Sequence, residues 1–153
     1  MVYQWKTGAR VKTAPEVAAA VMNDLAERNQ LNAETLVNVS RPEDAPLHQE
    51  FEWDDPTAAE EWRKQQARCL IHSLVLQEDD EDTEPVRVFF KINEASPNYE
   101  PTKVILQSQE STEALRNMAL KELIAFKNKY AAIIRKIDGE KEVNSLQMKM
   151  EAG

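Results

Sequence analysis

Apolar residues recur along this chain first at helical spacing, then in alternation, then at helical spacing again. From Pro15 to about Asn29, Val17, Val21 and Leu25, with Ala18 and Met22, form one stripe. Thr13 with Pro15 and Glu16 has the form of a capping box with proline in the first turn. Asn32 caps a second, short helix with Leu36 and Val37 inward, and Pro42 stops it. Residues 41–55 read as a loop or a single helical turn. Asp55-Pro56 then opens a third helix, whose inward residues are expected to be Ala59, Trp62, Ala67, Leu70 and Ile71.

The period then changes. Residues 71–77 are rich in branched apolar side chains, and residues 86–92 alternate, with Val86, Val88, Phe90 and Ile92 on one face. Both read as strands, joined by an acidic loop over residues 78–84. Pro97 and Pro101 punctuate a further turn, and residues 103–107 read as a third strand of an antiparallel meander.

From Ser111, which can cap with Thr112, the helical period returns. Ala119, Leu123, Phe126, Tyr130, Ile133 and Ile137 fall at steps of four and three, a heptad seam of nearly three repeats. Gly139 ends it. The seam reads as core packed against the sheet or as a dimer interface, and a helix of about 26 residues, about 39 Å long, exceeds a small sheet, so its far end wants another partner. A second copy of the chain is the expected one, meeting it through Leu123, Phe126, Tyr130, Ile133 and Ile137.

The fold class predicted is α+β: N-terminal helices, a small antiparallel sheet of about three strands and a long C-terminal helix. Residues 1–138 are read as one domain and residues 139–153 as a flexible or partner-dependent tail. The 153 residues suit one core-forming domain, and 42% hydrophobic with 30% charged residues is a globular composition. Three glycines, Gly8, Gly139 and Gly153, leave no Gly-rich phosphate loop. No apolar run spans a bilayer and the start has no apolar signal core. With the single Cys69 these point to a cytoplasmic protein without a disulfide framework.

The net charge of −8 is uneven. Residues 1–110 carry eleven Lys/Arg against twenty-one Asp/Glu, and residues 111–153 carry eight against six. The acidic part repels phosphate backbones, which disfavours a general nucleic-acid binder.

Residues 46–68 are the least ordinary part of the chain. Eight acids lie between Glu43 and Trp62 around Phe51, Trp53 and Trp62, with no base before Arg63. His48 beside Glu50, Glu52, Asp54 and Asp55 could be imagined as a mixed metal site, but a capping or surface histidine accounts for it, since no H-x-x-x-H or E-x-x-H pair is present. The acidic run from Asp79 to Glu84 lacks the Gly and distal Glu of a calcium loop. Cys69 reads as a buried, inert thiol. The first two helices outline a helix-turn-helix, but the second offers bases only Glu34, Thr35, Asn38 and Arg41. No catalytic residue, metal or cofactor is expected. Trp53 and Trp62 are expected to be largely buried, fixing this junction.

Pro46-Leu47-His48, Phe51-Glu52-Trp53-Asp54-Asp55, Ala58-Ala59, Arg63 and Gln66-Ala67-Arg68 resemble a pattern in uncharacterised proteins of tailed phages and prophages. Those proteins also have a short preceding helix and a long final one. The resemblance implies a phage or mobile-element origin and no reaction. The expectation is a non-enzymatic phage-encoded binding protein that self-associates and engages a protein partner. Its partner-binding residues are taken to be His48, Phe51, Trp53, Asp54, Asp55, Arg63 and Arg68. A nucleic-acid-associated phage factor, or an acidic inhibitor of a host nucleic-acid-binding defence protein, is the alternative.

Overall fold

The computed structural model describes residues 1–54, 58–79 and 82–153. The fold is α+β, with a three-stranded antiparallel sheet and a long helix near the C-terminus. The chain divides into two compact units, Met1–Val104 and Ile105–Gly153.

In the first unit, β1 (Val2–Trp5) opens the chain. It pairs with β2 (Leu74–Gln77), Trp5 opposite Leu74, and β2 pairs with β3 (Val86–Arg87), Leu76 opposite Val86. β4 (Phe89–Phe90) turns away to pair with β5 (Glu100–Pro101). The third strand of the sheet is therefore the N-terminal one and not residues 103–107. Pro101 has no N–H to extend a ladder, and Thr102 donates its N–H to Val88 O at 2.7 Å and its hydroxyl to Arg87 O at 2.7 Å. The chain then enters the short helix α4 (Thr102–Ile105). The expected strand 71–77 is shorter, because Ile71 to Ser73 still belong to a helix.

α1 (Pro15–Glu27) starts at Ala14 with proline in its first turn, and no side chain caps it. The expected Thr13 capping box does not form: the Thr13 hydroxyl donates instead to Glu50 Oε1 at 2.7 Å. The buried stripe is Ala18, Ala19, Met22 and Leu25, rotated from the expected one, and Val17 is exposed. α1 ends with Asn29 in the left-handed region (φ 55°), and Gln30 N–H reaches back to Leu25 O at 2.8 Å. α2 (Ala33–Val39) is capped as expected, Asn32 Oδ1 accepting Thr35 N–H at 2.9 Å, with Leu36 and Val37 fully buried.

α3 (Ala58–Ser73) buries Ala59, Ala67, Leu70 and Ile71 as expected, but Trp62 is 57% exposed and Arg63 takes the inward place at 5%. The steps 59, 63, 67, 70 keep one face of a helix, and residue 62 lies about 100° round from 63. Asp55-Pro56, expected to open this helix, lies outside the described residues. The core joins these helices to Leu47, Phe51, Leu74, Val88, Phe89 and Tyr99.

In the second unit, α5 (Gln109–Lys129) is capped by Ser108, whose Oγ accepts Ser111 N–H, in place of Ser111 or Thr112. α6 (Ala131–Lys136) follows after one residue, and the α-type bonding persists: Tyr130 N–H to Phe126 O at 2.9 Å and Ile134 N–H to Tyr130 O at 3.0 Å. The turn uses Asp138 in the left-handed conformation (φ 54°), with Gly139 N–H on Ile134 O at 2.9 Å. Residues 140–152, read from the sequence as a tail, form the helix α7 (Glu140–Ala152). α7 packs back along α5, where Lys127 Nζ donates to Gln147 Oε1 at 2.5 Å.

Candidate functional site

The candidate residues fall in two places: the Trp53 junction in the first unit and an open apolar stripe in the second.

The junction starts from a turn of 3₁₀ helix, His48–Glu50, which follows Leu47. It sets the His48 ring face to face with the Trp53 indole, centroids 5.0 Å apart and planes 10° from parallel. Trp53 Nε1 donates to His48 O at 2.9 Å, so the indole's one polar atom is satisfied within its own segment. Phe51 meets Trp53 at 5.7 Å. Arg63 and Arg41 lie over the indole at 5.0 and 5.7 Å. Both guanidiniums also bond Glu60, at 2.8 Å from Arg41 and 3.2 Å from Arg63, and Arg63 Nε donates to Glu52 O. The Arg41 hydrogen bond chiefly holds the Glu60 carboxyl below its usual range, against desolvation and with help from Arg63. Glu50 ties the turn to the start of α1: its Oε1 accepts from Lys12 N, Thr13 N and Thr13 Oγ1.

His48, Phe51, Trp53 and Arg63 are thus brought together, but largely to one another. Phe51 and Arg63 are buried, and His48 and Trp53 are half-buried. Asp54 is exposed, and its backbone N–H donates to Glu52 Oε1 at 3.4 Å. Asp55 lies outside the described residues. Arg68 stands apart, on the wall of a small cavity. Trp62, expected inside, is exposed on α3 because Arg63 occupies the inward position. Cys69 is exposed, not buried. Arg41 and Glu50 were missed. The acidic setting around Glu50 hid it, and only the fold brings Arg41 beside Trp53.

His48 Nδ1 already faces Ser40 O at 3.0 Å. Among the described residues no group of three or more His, Cys, Asp or Glu stands together as a metal site. Nor is any described helix long and apolar enough to cross a membrane.

In the second unit Phe126 is 49% exposed, Tyr130 41%, Ile133 49% and Ile137 68%, with Leu123 half-buried. Phe126 and Tyr130 touch, centroids 5.0 Å apart. The half-buried positions Leu120, Leu123, Lys127 and Ala131 and the buried Ile134 trace a second stripe. It lies roughly 90° round the helix from the first, at about 100° per residue. Lys127, Ala131 and Ile134 of this second stripe line a cavity with Val143 and Asn144 of α7. The apolar face at the heptad positions is therefore the one that α7 leaves open.

Comparison with protein-family models, curated proteins and solved structures finds no match to this chain.

Proposed function

We propose that this chain is a non-enzymatic, phage-encoded binding protein of the host cytoplasm that pairs with a second copy of itself and engages a protein partner. One observation carries the pairing. Neither α5 nor α7 has a buried side chain, and Ile134 is the one in α6. Helices this poorly packed are marginal in water, and an open stripe of Phe, Tyr and two Ile exceeds what a monomer usually shows. Covering the stripe supplies the missing packing.

The flanking charges bear on the orientation. Counting heptads along the stripe, Glu122, Lys129 and Lys136 flank it on one side at seven-residue spacing. Antiparallel pairing sets Phe126 against the partner's Tyr130 and Leu123 against the partner's Ile133. It brings Glu122 beside the partner's Lys136, twice, around a central pair of Lys129 residues. Parallel pairing offers Glu122 only the partner's Lys127, a lysine already bonded to Gln147.

Support for a protein partner comes from Trp62, a residue type typical of binding hot spots, left open on α3 in the segment that resembles the phage pattern. Sedimentation equilibrium on Ile133→Asp/Ile137→Asp tests the pairing. The double variant is expected to sediment as one chain while its first unit keeps its circular-dichroism signature. A wild-type protein that sediments as one chain at micromolar concentration would refute it.

A further inference from the structure

The first unit holds a cavity of 180 Å³ whose wall includes Lys64, Arg68 and Lys91, with Asn32, Glu34 and Tyr99. Lys64 and Arg68 stand one turn apart on α3, and Lys91 comes from the segment just after β4. Three cations against one acid reverse the local sign in a region where acids outnumber bases twenty-one to eleven.

Three arginines of this unit find carboxylates: Arg28 with Asp24, and Arg41 and Arg63 with Glu60. The cavity's cations mostly do not. Lys91 makes no hydrogen bond or ion pair among the described residues, and Arg68 has one 3.5 Å hydrogen bond, to Gln65. Lys64 is paired with Glu61 at 3.1 Å, but that carboxylate is 74% exposed and a weak competitor. Tyr99 closes another part of the cavity wall. There Tyr99 meets His72 Nε2 at 3.1 Å, and burial, then Arg87, Lys6 and Arg68, push the His72 imidazole down to about 4.

We infer that this cavity binds a compact phosphate dianion, either the free ion or the head of a small monoester. Cations from two separate elements suit a doubly charged tetrahedral group better than a planar carboxylate, and Arg68 can engage two of its oxygens. A polyanion would extend past the cavity onto the acidic surface and be repelled there.

Calorimetry on the full chain tests the inference, with inorganic phosphate and glycerol phosphate titrated at ionic strength matched by sodium chloride. Saturable binding of one anion per chain is expected, weakened about tenfold by Arg68→Gln or Lys91→Gln and unchanged by Lys12→Gln, an exposed base elsewhere. Lys91→Gln alone suffices if Arg68→Gln fails to fold. Glycerol phosphate binding as well as phosphate assigns the site to a monoester head, and phosphate alone to the free ion. Three outcomes would overturn the inference: no saturable heat above the chloride control, equal weakening by Lys12→Gln, or stronger binding of short duplex DNA lost with the same substitutions.

Discussion

The Trp53 indole lies flat on the His48 imidazole, 5.0 Å away, and its N–H closes onto the carbonyl of the same His48. This is a fastening of the junction, with Arg63 and Arg41 over the ring. Trp53→Ala should lower stability by about 3 kcal/mol, the low end for aromatic truncations, since the ring keeps some exposure. Trp62→Ala should change it by less than about 0.5 kcal/mol. Urea denaturation of both variants is the check. A larger loss for Trp62 would mean the two tryptophans have been given each other's roles.

Glu50 Oε1 collects three hydrogen bonds from Lys12 and Thr13 and so anchors the approach to α1. Glu50→Ala strands two backbone N–H groups and a hydroxyl, at about 2 kcal/mol. A stability equal to wild type would show that water replaces the carboxylate without loss.

The elements that could be read from the sequence are those whose signal is local. Asn32 sits where an N-cap must, and the periods before Asn29 and after Ser111 mark their helices. The misses were decided by partners far along the chain. Val2–Trp5 is too short to show alternation and becomes a strand only because Leu74–Gln77 offers an edge. Thr13 makes a good cap until Glu50 competes for its hydroxyl. On α3 a tryptophan is the natural inward residue by hydrophobicity, yet Arg63 goes in because Glu52 O, Glu60 and Trp53 are there to receive it. Of the candidate partner-binding residues, clustering in sequence did become clustering in space for His48, Phe51, Trp53 and Arg63, but composition does not say whether such a cluster faces in or out.

His72 should make stability depend on pH. Its folded pKa of about 4 lies below the ordinary value of 6.5, mainly through burial. The unfolded chain therefore binds the proton more readily. The contribution is fully present above about pH 6.5 and is lost as pH falls toward 4. His72→Gln removes the titration and keeps a partner for Tyr99. The difference in stability between wild type and variant should shrink as pH falls from 6.5 to 4. A constant difference would place the imidazole in water.

If two copies pair antiparallel, Glu122→Lys sets like charges beside Lys136 at both ends of the stripe. It should weaken association by about tenfold, and Lys136→Glu in the same chain should restore it. Weakening by Glu122→Lys without restoration would indicate parallel helices. No change with either would take charge out of the interface.

Light scattering on the wild-type chain at micromolar concentration tests self-association most directly. A mass of twice the 17.5 kDa chain is expected, with the Phe126, Tyr130, Ile133 and Ile137 stripe covered by its copy. A mass of one chain, unchanged on tenfold concentration, would contradict it.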